Sequence, residues 1–392
     1  MRRTGFVAMP TPSRLAMWPA LYQYRGAARG PTTRAELWRT VPIRERMDGM
    51  RYQPVGLLVM VLLSLLIAAG CGGSGGADEP AVGITPLPAP TAEPTDAPTP
   101  TPTAVPATPE PVPTVHLPQV TSLEFLSADV AVPELPSAFA PPLEDPALAA
   151  LIRTTLSGYQ GAYSVVVRNL KDGRTASFNE GQVYRAASLF KLALLLEAYR
   201  QRDAGEIDFS QLLTLTEEYV AYDFGTLEFL GLEEGDMLSV ADALKAMIIV
   251  SDTPTAVLIQ DLVNPVRVEQ TLRSLGINDM SVLTEMLPTT AHDMALLMAA
   301  VAGGEGVTAE SRSEMLALLL QESIRGGIPS GVPANSAVAH KTGNLVNATH
   351  DVALVWGPGG PYVIAVLSDR SWEWQATVAV SRAVWDYFAA NP

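Results

Sequence analysis

Three short patterns of reactive side chains stand in order along the chain. They are Ser188-Leu-Phe-Lys191, Ser251-Asp252-Thr253 and Lys341-Thr342-Gly343, 63 and then 90 residues apart. A serine hydroxyl attacks a carbonyl carbon effectively only when a base takes its proton. On a helix, positions three apart share a face, which puts Lys191 one turn along from Ser188 on the same side. A lysine can be that base where burial and a nearby cation both disfavour its ammonium form. Lys341 is the candidate cation, provided that its strand borders the start of the Ser188 helix. A helix N-terminus would also aim the Ser188 backbone N–H at developing negative charge. The chemistry is acyl transfer through a serine ester, and it needs no histidine. His340 and His350 accordingly read as strand-end residues rather than members of a triad.

Singly, each pattern has a plain structural explanation. Ser188 to Lys191 could be a helix turn with a solvated charge, Ser251-Asp252 a cap before Pro254, and Lys341-Thr342-Gly343 the end of a strand. Composition narrows the choice. The 392 residues are 48% apolar and 17% charged, which excludes a wholly disordered chain and allows one or two domains. A single cysteine excludes a disulfide framework and a CxxC zinc site. Four scattered histidines, without HxH or HExxH spacing, argue against a zinc hydrolase, so no metal and no cofactor is expected. A net charge of −15 argues against nucleic acid as a partner.

The elements that must position these residues lie after about residue 143. Asp145-Pro146 opens a helix with an N-cap acid and Pro at the first position. Tyr163 to Arg168 and Arg174 to Phe178 form a hairpin across Lys171-Asp172-Gly173. A long apolar helix runs from Ser188 to about Gln201. Ser239 and Asp242 cap a further helix, and others are predicted at Thr255 to Val263, Val266 to Leu275, Thr290 to Val301 and Ala309 to Leu320. Strands return at Ala337 to Thr342, Val352 to Trp356 and Tyr362 to Ser368, and Trp372 to Ala389 closes the chain as an amphipathic helix. The predicted class is α+β: an antiparallel five-stranded sheet flanked by the terminal helices, with a second, all-helical lobe inserted. A site is expected between the two lobes.

The first 120 residues are a different physical object. Residues 1–70 hold ten Arg, no Lys and three acids, which leaves a net of −22 for the rest. Sixteen uncharged residues between Pro54 and Cys71 are too short for a comfortable membrane span but suit the core of a secretory signal. Ala68-Ala69-Gly70-Cys71 resembles a bacterial lipobox, with Ala68 where that motif usually has Leu. The resemblance implies cleavage before Cys71 and a lipid on its thiol. Residues 1–49 are expected to precede the true start, with 50–70 as the lipoprotein signal. Thirteen Pro between Cys71 and Val120 make residues 71–120 an extended stalk, ~45 residues reaching on the order of 140 Å. Residues 121–142 carry no clear pattern, and the folded domain is placed at 143–392. The expected location is extracytoplasmic, on a bacterial membrane.

Together the three patterns, in this order and on these elements, resemble the class A β-lactamases and penicillin-binding proteins, whose signature is S-x-x-K, S-D-N and K-T-G. The resemblance covers about residues 143–392 and implies a β-lactamase-like fold. It implies Ser188 as nucleophile, Lys191 as base and Ser251 as proton relay to the leaving nitrogen. Lys341 and Thr342, with Gly343, would hold a substrate carboxylate, and the Asn344 N–H would be the second oxyanion donor. Thr253 departs from the family's Asn, which shortens the contact to the substrate's acyl side chain. The segment before Thr289-Thr290 departs further, because it is about a dozen residues shorter than the family's E-x-x-L-N loop. Its glutamates are Glu269, read as a solvated helix position, and Glu285, the one candidate for a deacylation base. Acylation with slow turnover is therefore expected. The partner would be a β-lactam or a peptidoglycan stem peptide, the chain a monomer. The alternatives are a D,D-peptidase on stem peptides and a non-catalytic wall-associated module.

Overall fold

The computed structural model describes residues 117–392. The expected signal, Cys71 and the Pro-rich stretch up to residue 116 lie outside the described residues. Residues 117–142 pack onto the domain, so the folded body begins earlier than Leu143. Val120 pairs with Met237, and the Gln119 N–H reaches Asp236 Oδ1 at 2.9 Å. A single 3-10 turn, Glu124–Leu126, buries Leu126 together with Leu123. The Pro residues that erase any periodicity here do not prevent these point attachments.

Strand β1 (Leu143–Glu144) leads to helix α1 (Pro146–Leu156), capped by the Asp145 carboxylate accepting from Ala147 and Leu148 N–H. The hairpin of β2 (Tyr163–Asn169) and β3 (Arg174–Phe178) follows. The insert then runs through β4 (Tyr184–Arg185), a 3-10 turn (Ala187–Phe190), α2 (Lys191–Asp203) and β5 (Leu212–Thr214). Two short helices, α3 (Glu217–Val220) and α4 (Thr226–Leu230), precede β6 (Met237–Ser239). Next come α5 (Val240–Ile249), α6 (Thr253–Val263), α7 (Pro265–Ser274) and β7 (Pro288–Thr289). The insert ends with α8 (Ala291–Gly303), α9 (Ala309–Leu320) and α10 (Ile328–Gly331). Strands β8 (Val338–Leu345), β9 (Ala348–Gly357) and β10 (Gly360–Ser368) return to the sheet, and α11 (Gln375–Ala390) closes the chain.

The sheet order is β1-β3-β2-β10-β9-β8. All five predicted strands are present and antiparallel. A sixth, β1, adds a two-residue parallel pairing to β3, too short to carry a periodic signal. The insert is helical apart from two short ribbons, β4 with β7 and β5 with β6.

Alternation along the strands builds a core on each face. Tyr362, Ile364 and Val366 of β10 pack with Leu148 and Ile152 of α1 and with Val380, Val384 and Phe388 of α11. Val363, Ala365 and Leu367 of the same strand face the helical insert, among Leu192, Met294 and Leu297. Period-two side chains thus bind both layers to one sheet. Each large apolar residue buried this way contributes about 1.5–3 kcal/mol. Strand β8 is left as a sheet edge, next to the 3-10 turn that carries Ser188.

Candidate active site

Ser188 lies in the 3-10 turn rather than in α2 itself, so the expected helix start is one tighter turn. Residues three apart eclipse in such a turn. The Lys191 backbone N–H indeed donates to the Ser188 carbonyl, joining the two residues across the junction. The turn is forced into place. Ala187 has φ 49°, in the left-handed region that costs a residue with a side chain about 1–3 kcal/mol. The Ala186 N–H donates to Leu287 O at 2.7 Å, and Leu287 is itself left-handed at φ 45°. From the sheet, the buried His350 donates from Nε2 to Arg185 O at 2.9 Å and accepts the Ser368 N–H on Nδ1 at 3.1 Å. Those partners fix its neutral tautomer, and burial pulls its pKa down to about 4.

Lys191 is fully buried, and its Nζ donates to Ser251 O at 2.5 Å. Ser251 Oγ and Thr253 Oγ1 lie 3.3 and 3.4 Å from the same nitrogen. Burial, then the Lys341 charge, hold the amine well below the ordinary lysine range, outweighing the opposite pull of Asp252 and Glu322. A neutral amine that donates to a carbonyl keeps its lone pair free to accept a proton. Ser251 is presented by strain as well: its φ is 59°, between α5 and α6. Asp252 secures that turn by capping α6, accepting from the Thr255 N–H at 2.7 Å and the Thr226 hydroxyl at 2.5 Å.

Strand β8 borders the turn that carries Ser188 through Gly343. A β-carbon there would lie 2.8 Å from Ala186 O and 3.2 Å from Ala187 Cβ, so only glycine permits this approach. Thr342 donates its N–H to Glu322, off the free edge of the sheet. N–H direction alternates along a strand, so Asn344, two residues on, points its N–H off the same edge. Ser188, at the start of its turn, has an N–H without an intrahelical partner. The two expected oxyanion donors are therefore presented by neighbouring elements.

Lys341 and Thr342 are sealed from solvent, at 0% and 1% exposure. Both Thr342 donors and one Lys341 ammonium proton are taken by Glu322, a residue just after α9 that the sequence did not single out. Glu322 Oε1 accepts from Lys341 Nζ at 2.7 Å and from the Thr342 hydroxyl at 2.5 Å. Its Oε2 accepts the Thr342 N–H at 3.0 Å and lies 3.2 Å from His340 Nδ1. His340 Nδ1 also meets Asp351 Oδ1 at 3.1 Å. The hydrogen bonds of His340 and His350 go to Glu322, Asp351, Arg185 and Ser368, and none to Ser188.

Glu285 is exposed, two residues before Leu287, and among the described residues no side-chain hydrogen bond or ion pair ties it to Ser188 or Lys191. Glu269 is not a solvated helix position: it pairs with Arg273 and accepts from Ser281 Oγ at 3.1 Å, holding the segment that leads to β7. Among the described residues no cluster of three or more His, Cys, Asp or Glu is placed to hold a metal ion. A shallow groove lined by Tyr159, Trp372, Trp374 and Arg382 shares no residue with this site. Ser188, Lys191, Ser251, Thr253 and the Lys341–Asn344 segment thus meet where the sheet edge joins the insert, and Cys71 lies outside the described residues.

The sequence profile described as "Beta-lactamase enzyme family" matches residues 147–388, more than half of the chain. Among solved structures, PBP-A is similar at 23% identity and TM-score 0.60, covering 64% of this chain and 99% of PBP-A. A point mutant of PBP-A, alike in the same measures, is an acyl-enzyme complex with penicillin G. A β-lactamase from Sphaerobacter thermophilus DSM 20745 is similar at 26% identity and TM-score 0.55, covering 62% and 98% of the two chains. No curated protein matches the chain.

Proposed function

Since the chain belongs to the β-lactamase enzyme family, we propose that it opens β-lactam amides through an acyl ester on Ser188. The observation that carries this reading is the buried Lys191 amine, held on Ser251 O at 2.5 Å and joined through one turn to Ser188. Lys191 takes the Ser188 proton as Oγ forms its bond to the carbonyl carbon. The Ser188 and Asn344 N–H groups receive the oxyanion. The carbon–nitrogen bond then breaks, and the proton passes through the Ser251 hydroxyl to the departing nitrogen. The product is an acyl-serine, which water must hydrolyse.

We propose further that this last step is slow. The exposed Glu285 and the shortened segment around it support that reading, since a water-activating base has to stand against the ester. Incubation with a labelled penicillin should place the label on Ser188, and Ser188→Ala should abolish it. Rapid steady-state hydrolysis of a chromogenic cephalosporin would contradict slow turnover. Release of D-alanine from a stem pentapeptide would instead identify a D,D-peptidase. The sequence around Cys71 supports a lipid tether outside the cytoplasm, and fatty-acid labelling that disappears in Cys71→Ala tests it.

A further inference from the structure

Glu322 does to Lys341 and Thr342 what a substrate carboxylate would do. It takes the only proton of the Thr342 hydroxyl, the Thr342 N–H and one ammonium proton of Lys341. A second ammonium proton goes to Thr342 O at 3.1 Å. His340 closes the far side of the carboxylate at 3.2 Å, itself backed by Asp351 at 3.1 Å. Every member of this cluster is at most 1% exposed. An incoming anion would have to displace a buried, multiply bonded carboxylate, and Coulomb repulsion from Glu322 opposes it. The contrast lies within the same site: Ser188, Thr253 and Asn344 are partly open.

We infer that Glu322 is a specificity-determining residue, an internal carboxylate that competes with the substrate's own for Lys341 and Thr342. It rests on the acyl-serine reading above and narrows its substrate class. The site should accept acyl donors whose leaving portion carries no free carboxylate about as readily as those that carry one.

The test compares Ser188 acylation of the full-length protein by benzylpenicillin and by its methyl ester. The wild type should label at similar rates with both. Glu322→Ala frees three donors, two on Thr342 and one on Lys341, and should raise the acid-to-ester rate ratio about tenfold, as one regained charge-assisted hydrogen bond would. Glu322→Gln keeps an acceptor for Thr342 without the charge, and should move the ratio in the same direction but less. Because the ratio is internal to each variant, a general loss of stability cancels. A second arm needs no acylation: acetate is titrated while the Thr342 amide is followed by NMR. It should leave the wild-type resonance in place and shift it saturably in the variants. A strong preference for the acid in the wild type that falls in Glu322→Ala would overturn the inference, as would a saturable acetate shift in the wild type. Failure of both compounds to label Ser188 would instead count against the acyl-serine reading, and the acetate arm would still judge Glu322.

Discussion

Gly343 and Ala186 meet so closely that a β-carbon on Gly343 would stand 2.8 Å from the Ala186 carbonyl oxygen. One neighbour is the strand that carries Lys341, the other the turn that carries Ser188. The contact therefore sets the spacing between the two halves of the site. Gly343→Ala must push them apart, because the opposing atom is backbone. Overpacking of this kind costs about 1–3 kcal/mol. A displacement near 1 Å can cost about 100-fold in rate. Thermal unfolding and the rate of penicillin labelling should both show the loss, the rate far more than the stability.

Lys191 makes the opposite trade. In the unfolded chain it is an ammonium at neutral pH, whereas in the fold burial and Lys341 disfavour that charge. Folding therefore releases a proton, and the cost grows as pH falls below the ordinary lysine range. Lys191→Met removes that cost at similar volume, and should raise the melting temperature at pH 7 while ending all labelling of Ser188. Each 1 kcal/mol recovered corresponds to about 2–4 °C in a domain of this size. The gap to the wild type should narrow as the pH is raised toward 10. A lower melting temperature for Lys191→Met would contradict a buried neutral amine.

His350 ties the strand before the Ser188 turn to the sheet through Arg185 O. Burial, the main cause, pulls its pKa down from the ordinary histidine value of 6.5 to about 4. A base depressed in the fold contributes stability that is complete above the unfolded value and is lost as the pH falls toward the folded one. The window is thus from about 6.5 down to about 4, worth on the order of 3 kcal/mol. Denaturant unfolding across that range should show the decline, and His350→Gln should flatten it.

These residues differ in how far the sequence revealed them. Ser188, Lys191, Ser251 and the Lys341–Gly343 triplet announce themselves because chemistry fixes their types and spacing. Asp145, Ser239 and Thr290 mark helix starts because orphan N–H groups need an acceptor, and all three act as caps. Glu322 gave no such sign. An acid just past a helix normally faces water, and only the fold turns this one inward against β8. His350 was hidden likewise, since no local pattern pairs it with Arg185. Residues 121–142 and strand β1 escaped because attachments of one to three residues leave no period to read. Glu269 was misread for a similar reason: its partner Ser281 lies across a loop whose path the sequence does not specify.

Glu285 offers a clean control. It is exposed, and among the described residues no side-chain hydrogen bond or ion pair ties it to Lys191. Glu285→Gln should leave both the labelling rate and the lifetime of the penicillin adduct within about twofold, the usual reach of a surface change. A lifetime lengthened by an order of magnitude would mean that Glu285 swings in to activate the hydrolytic water.

The central claim is that Ser188 becomes an ester when Lys191 takes its proton. Intact-mass spectrometry of the protein mixed with benzylpenicillin, sampled over time, reads it directly. The expected result is a single added penicilloyl mass that maps to Ser188, persists after free penicillin is removed, and is absent in Lys191→Met. No added mass in the wild type, or an adduct of equal rate in Lys191→Met, would contradict it.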